Sequence, residues 1–257
     1  MKNAAPTHLL YNASDAVSAR HIPSWLLLAA AAGATNAGVF LAGQRFVTHV
    51  TGTVTRIGLD AGAWMLMAEY TLVLAAFVFG AFLSVFGMQG RVARGLPPAP
   101  HIALLGVSAI LTVVALAGRA GVFGAFGETV EQPADFALLW TLAFAMGLMN
   151  ATVASSTAVA LRTTHMTGPA TDLGVGLGVA LFSTGPARAD ALALAALRGG
   201  KLVAFVAGAV LMASVAERLD YLAFAAPAIA IVAATARSLL PRAATLAPAY
   251  ARTQSAH

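Results

Sequence analysis

Two polar segments with the same spacing are the places where this chain could do chemistry. The first reads THVTGTVTRIG, Thr48–Gly58, and the second reads THMTGPATDLG, Thr164–Gly174. Each supplies several threonine hydroxyls and one histidine, a side chain that donates or accepts hydrogen bonds and changes charge readily in the physiological pH range. Such a set could bind a small polar solute or an ion, or gate its passage.

Each polar segment has the pattern of extended chain that leads into a short helix. In the second copy Thr167 or Gly168 is a suitable N-cap and Asp172 follows in the first turn, while in the first copy Thr51 or Gly52 would cap. A helix N-terminus carries free N–H groups and the positive end of the helix dipole. It therefore favours negative charge or an electronegative ligand atom.

Two asparagines and a pair of opposite charges complete the candidate set. Asn36 and Asn150 lie in apolar runs shortly before the two polar segments, so we expect both to face the interior. Arg56 and Asp172 hold equivalent motif positions and could pair, or could make two gates unlike. The candidate substrate-binding or gating residues are Asn36, Thr48, His49, Thr51, Gly52, Thr55, Arg56, Asn150, Thr164, His165, Thr167, Gly168, Thr171 and Asp172.

Composition places these residues in a membrane protein. Of 257 residues 59% are hydrophobic and only 10% are charged, where a soluble domain carries roughly 25% charged residues. So few charges could not cover the surface of a soluble domain, so the chain must be solvated by lipid. The absence of cysteine excludes disulfides, thiolate metal sites and cysteine nucleophiles. The net charge of +5 is too dispersed for a nucleic-acid surface.

Six apolar runs are candidate membrane spans, since a crossing needs about 20 apolar residues. The two polar segments follow the first and the fourth run, and the apolar run after the second segment is only about half a span long. The sequence leaves open whether the polar segments are re-entrant or full spans, and the charge bias described below favours the re-entrant form. We therefore predict an all-α, polytopic transmembrane bundle with these six spans: Ser24–Gly43, Glu69–Met88, Ile102–Ala120, Phe136–Ala158, Lys201–Val215 and Tyr221–Leu239.

Charge bias predicts the orientation. With the N-terminus inside, 11 of the 15 lysines and arginines fall in inside segments and 4 in outside segments, as the positive-inside rule requires. We predict a multi-pass protein of a bacterial cytoplasmic membrane with both termini cytoplasmic. The predicted organisation is a polar tail at 1–22, a first transmembrane repeat at 23–120, an external loop at 121–135, a second repeat at 136–240 and a tail at 241–257.

The chain contains an internal duplication. GATNAGV (Gly33–Val39) matches GLMNATV (Gly147–Val153), the two polar segments match next, and AFVFGAFL (Ala76–Leu83) matches AFVAGAVL (Ala204–Leu211) in the same order. Each half would supply three spans and one short re-entrant or broken-helix segment. Because three is odd, the second half would enter from the opposite face, which predicts two inverted repeats, an arrangement common among secondary transporters.

At these residues the chain resembles the YoaK family of bacterial membrane proteins, which are grouped as a domain of unknown function. The resemblance rests on the N-A-x-V helix end, on T-H-x-T-G-x-x-T in the first half and on RTTHMTGPATDLG in the second, and it covers roughly Trp25 to Leu240. It implies a polytopic inner-membrane protein and no particular activity.

The sequence thus favours a small secondary transporter or exporter of a small polar or anionic solute, with the lipid bilayer and that solute as partners. A passive channel and a non-transporting scaffold or accessory protein are the alternatives, because threonine, glycine and asparagine also pack membrane helices. No enzyme motif is present, so we expect no catalysis, no cofactor, no metal and no nucleic-acid partner. The glycine-rich spans could pack against a second copy to form a homo-oligomer, but they serve packing within one chain equally well.

Overall fold

The structure, a computed structural model, describes residues 21–60, 62–128, 133–157 and 162–238. The predicted tails lie almost wholly outside these ranges. The described ranges contain helices and connecting loops and no strand: α1 Ile22–Gly43, α2 Val50–Leu59, α3 Trp64–Val92, α4 Pro100–Arg119, α5 Pro133–Ser156, α6 Thr167–Phe182, α7 Gly185–Leu219, a 3-10 turn Asp220–Phe224 and α8 Ala225–Ser238. The predicted all-α class is confirmed.

Five helical stretches in the described ranges are long and apolar enough to cross a membrane. Four correspond to the first four predicted spans, namely α1, α3, α4, which ends one residue before the predicted Ala120, and the stretch Phe136–Ser156 of α5, whose predicted end at Ala158 lies outside the described residues. The fifth stretch, Gly185–Arg237, contains the predicted span Lys201–Val215 and most of the predicted span Tyr221–Leu239, whose last residue lies outside the described residues. It bends at Asp220, whose φ of +47° is incompatible with a continuing helix. The chain is a polytopic helical membrane bundle.

The helix boundaries follow from local chemistry. Pro100 and Pro133 stand at the first position of α4 and α5, where a missing N–H costs nothing. Pro227 lies in the first turn of α8, where proline is tolerated. Helix α1 ends with Gln44 as its C-cap. This residue has a φ of 54°, and its amide donates a hydrogen bond to the carbonyl of Phe40 at 2.7 Å.

Helices α2 and α6 follow the two polar segments and are short. They contain 10 and 16 residues, which correspond to lengths of about 15 and 24 Å against a hydrocarbon core of about 30 Å. Neither is long enough to span the membrane, in agreement with the sequence prediction.

Corresponding helices of the two halves make corresponding contacts. The repeated sequence elements match α1 with α5, α2 with α6 and α3 with α7, and the order along the chain then pairs α4 with α8. The most extensive packing joins α1 to α7 and, equivalently, α3 to α5. The first helix of each half therefore packs on the third helix of the other half, while α4 packs against α8. The two halves interlock.

Glycines create the two interlocked crossings. A Cβ on Gly33 of α1 would lie 1.9 Å from the carbonyl oxygen of Phe205 in α7, and a Cβ on Gly147 of α5 would lie 2.0 Å from that of Phe77 in α3. Such separations are far inside van der Waals contact, so only glycine allows this approach of two backbones. The partner helices repeat the arrangement, since a Cβ on Gly208 of α7 would lie 1.9 Å from a carbonyl oxygen of α1 and a Cβ on Gly80 of α3 would lie 2.1 Å from one of α5.

Candidate functional site

Asn36 and Asn150 tie the two polar segments to the central helices. The Oδ1 atom of Asn36 in α1 accepts hydrogen bonds from the Oγ1 of Thr48 at 2.8 Å and from its amide at 3.4 Å. The Oδ1 atom of Asn150 in α5 accepts the amides of Thr163 at 3.0 Å and Thr164 at 3.3 Å. Extended backbone at membrane depth needs such internal partners, because lipid offers none. The prediction that both asparagines face the interior agrees with these contacts.

The two short helices begin one to three residues earlier than the sequence predicted. His49 precedes the first residue of α2 and Met166 precedes the first residue of α6, and no side chain caps either described helix start. The predicted caps Thr51, Gly52, Thr167 and Gly168 are therefore wrong, since all four lie inside the first turn. The hydrogen bonds accepted by Asn36 and Asn150 fix the non-helical part of each polar segment at its threonines, and each short helix begins within three residues of the last of them.

Both polar segments open onto one cavity of about 590 Å³. Its lining draws on α1, α2 and α3 of the first half and on α5, α6 and α7 of the second. The fourteen lining residues that lie in the described ranges form seven pairs, and in each pair the two members hold equivalent positions in the duplicated sequence. The pairs are Asn36 with Asn150, Phe46 with Arg162, Thr48 with Thr164, His49 with His165, Val50 with Met166, Thr51 with Thr167, and Phe77 with Phe205.

The motif glycines make room for the histidine rings. A Cβ on Gly52 would lie 2.7 Å from the Nδ1 atom of His49, and a Cβ on Gly168 would lie 3.1 Å from the Cδ2 atom of His165. Each imidazole therefore lies against the first turn of its own short helix. The side chain that approaches the backbone at each of these glycines is thus the histidine of the same motif.

Six predicted site residues do not line the cavity: the two glycines already described, Gly52 and Gly168, and Thr55, Arg56, Thr171 and Asp172. The hydroxyls of Thr55 and Thr171 donate to carbonyls one turn earlier, at 2.9 and 3.0 Å, and both side chains are exposed on the outside of their helices. Arg56 is also exposed on α2. Asp172 forms an ion pair with Arg198 of α7 at 3.3 Å. The suggested pairing of Asp172 with Arg56 is therefore replaced by a contact within the second half.

Sequence reasoning missed the aromatic and cationic part of the lining. Phe77 and Phe205 were quoted only as members of the last repeated element, and Arg162 entered only the charge count and the motif quoted for the resemblance. Their signal was present, since Arg162 and Phe46 both stand two residues before the T-H of their motif. Aligning the two halves position by position would have found them.

Lys201 was also missed as a site-supporting residue. It is 1% exposed, and its ammonium donates a hydrogen bond to the backbone carbonyl of Arg162. The segment ahead of α6 is thus fixed to α7. An ionisable side chain buried inside a membrane helix is the available sequence signal.

Apolar helices around one polar cavity, built from two equivalent sets of elements, define a multi-pass membrane protein with a duplicated sequence. The chain belongs to the family described as a protein of unknown function, DUF1275, whose model matches residues 24–237. This confirms the resemblance to YoaK-like proteins, which belong to the same family. No curated protein and no solved structure matches the chain.

Proposed function

We propose that the protein is a small secondary transporter that carries a small polar or anionic solute through the cavity between its two halves. The observation that supports this most directly is the lining, in which every residue has a counterpart at the equivalent position of the other half. Its polar members, asparagine, threonine and histidine, are costly in lipid, and polar groups at such places are usually functional.

We further propose that the two halves are inverted repeats. The described spans α1, α3 and α4 give the first half three crossings, so the second half starts from the opposite face. Under this arrangement, exchanging the conformations of the two halves would close the cavity on one side of the membrane and open it on the other. This is the alternating access that inverted repeats allow around a fixed site. The 11-to-4 distribution of basic residues favours both termini in the cytoplasm of a bacterium.

Transport is favoured over a scaffold and over catalysis for separate reasons. A scaffold needs no water-accessible cavity at the junction of its halves. Among the described residues the cavity lining offers hydrogen bonds, one guanidinium and two imidazoles, but no carboxylate that would orient an imidazole as a base and no cysteine nucleophile. Binding and release of an unchanged solute require only what this lining provides.

Single cysteines test the proposal, because the chain has no cysteine of its own. Val50→Cys and Met166→Cys place a thiol on each half of the cavity wall. Controls are Leu111→Cys in the fully buried core and Val206→Cys on α7, where the side chain is 59% exposed on the apolar surface. A charged, membrane-impermeant thiol reagent is applied to right-side-out and to inside-out vesicles.

Alternating access predicts that both cavity cysteines react and that both controls do not. It also predicts that each cavity cysteine is reached from both sides and that blocking from one side leaves less to react from the other. A passive channel would give the same labelling and would also let the reagent into the vesicle lumen. Protection of both cavity cysteines from both sides would overturn the transport proposal.

A further inference from the structure

Six of the seven lining pairs are chemically matched, and one is not. At equivalent positions asparagine is paired with asparagine, threonine with threonine, histidine with histidine and phenylalanine with phenylalanine, and Val50 is paired with the apolar Met166. The exception is Phe46, whose counterpart is Arg162. The cavity is therefore symmetric in its hydrogen-bonding groups and asymmetric in charge.

Arg162 gives the second half of the cavity a fixed positive charge. The buried ammonium of Lys201 donates to its backbone carbonyl and so holds this residue in place, while its side chain is exposed at the cavity. The single ion pair found among the described residues joins Arg198 to Asp172. Within that part of the chain, Arg162 thus has no carboxylate to neutralise it, which leaves its guanidinium available for an anion.

Phe46 gives the first half an apolar surface at the equivalent place. Its ring stacks on that of Phe40, with 4.5 Å between ring centroids and 14° between planes, and it meets the ring of His49 edge-on at 6.3 Å. The side chain is still 44% exposed. A supported aromatic ring with one open face is a good contact for an apolar or aromatic group.

We infer that the solute is a small amphipathic monoanion, with a carboxylate held by Arg162 and an apolar or aromatic end against Phe46. Guanidinium binds carboxylate through two parallel hydrogen bonds, and the asparagine, threonine and histidine groups between the two ends would orient the molecule. A volume of about 590 Å³ lies within the usual range for small-molecule sites. This inference rests on the proposed function and specifies its substrate class.

Benzoate is the probe, because it combines a carboxylate with an aromatic ring. Binding of radiolabelled benzoate to the purified full-length chain in lipid nanodiscs is measured alone and against benzamide, acetate and benzylamine. We expect benzoate to bind and the unlabelled benzamide, which has the same shape without charge, to compete about tenfold or more weakly. Acetate should also compete weakly, because it lacks the ring, and benzylamine should not compete. Equal competition by benzamide and benzoate would overturn the inference, and so would an absence of saturable benzoate binding.

Single substitutions test which residue binds each end of the solute. Arg162→Gln should abolish benzoate binding and Phe46→Ala should weaken it, while Arg56→Gln, which changes an exposed arginine outside the cavity, should have no effect. The double variant Phe46→Arg/Arg162→Phe exchanges the unmatched pair and should restore binding, because the rest of the lining is symmetric. Arg162→Gln that binds benzoate as the unaltered chain does would refute the assignment.

The cysteine experiment separates this inference from the proposed function. Arg162→Gln should keep the labelling of Val50→Cys, since it removes charge without closing the cavity. Reactive cavity cysteines together with no preference for benzoate over benzamide would overturn the monoanion inference and leave transport standing. Unreactive cavity cysteines would overturn both.

Discussion

Substituting Gly147 by alanine should separate two helices that hold the cavity together. The new Cβ would lie 2.0 Å from the carbonyl oxygen of Phe77, whereas ordinary van der Waals contact begins at 3.4 Å. The neighbouring atom belongs to the backbone, so no side-chain rotation relieves the overlap. Helices α5 and α3 must therefore move apart by about 1.4 Å at this crossing, and the cavity wall at Phe77 must move with them.

The expected cost follows from two opposed effects. Overpacking of this kind costs about 1–3 kcal/mol, while replacing glycine by alanine in a helix returns up to about 1 kcal/mol. Because the overlap is with backbone, we expect the upper part of that range and a net loss of about 2 kcal/mol. For a chain of this size such a loss lowers the unfolding midpoint by roughly 4–8 °C.

Thermal unfolding of the purified protein in a mild detergent, followed by tryptophan fluorescence, measures this loss. Gly87→Ala on α3 is the matched control, since a Cβ there meets nothing within 4 Å and should leave the midpoint unchanged or raised. Gly33→Ala is the equivalent change in the other crossing and should behave as Gly147→Ala does. A Gly147→Ala midpoint equal to that of the control would refute the close-crossing argument.

Asn150→Leu removes the acceptor of two backbone amides, so we expect a loss of about 1–3 kcal/mol in the same assay; an unchanged midpoint would show that the amides find other partners. Gly52→Ala would place a Cβ 2.7 Å from the Nδ1 atom of His49 and turn the imidazole ring, so the rate at which diethyl pyrocarbonate modifies His49 should change. Gly58→Ala is the control, since a Cβ there meets open space and should leave that rate unchanged. Lys201→Met removes the donor to the carbonyl ahead of α6, so hydrogen–deuterium exchange in that segment should accelerate, and equal exchange rates would contradict the anchoring role.

The class of protein and the positions of its spans followed from local properties of the chain. A run of about 20 apolar residues is long enough to cross a membrane wherever it occurs, so α1, α3, α4 and α5 could be placed without knowing their neighbours. The duplicated motif was equally visible, and it directed attention to Asn36 and Asn150 before any contact was known. The caps of the short helices were misplaced because hydrogen bonds that the Oδ1 atoms of these asparagines accept from the polar segments set where the chain turns.

Which surfaces meet was decided only by the tertiary structure. In a membrane helix the lipid-facing and protein-facing sides are both apolar, so hydrophobic periodicity does not say that Gly33 faces α7 or that Gly147 faces α3. The same ambiguity hid the aromatic part of the cavity, since Phe77 and Phe205 have the composition of lipid contacts. Asp172 likewise found its partner in α7, at a sequence separation that no local pattern reports.

The sequence by itself determined a lipid-solvated helical chain with two copies of one polar motif. Folding decided that the two copies face the same cavity and that Arg162 and Phe46 hold its equivalent positions. The physical reason is that span length and motif spacing are local quantities, whereas the cavity exists only because each half packs its first helix on the third helix of the other.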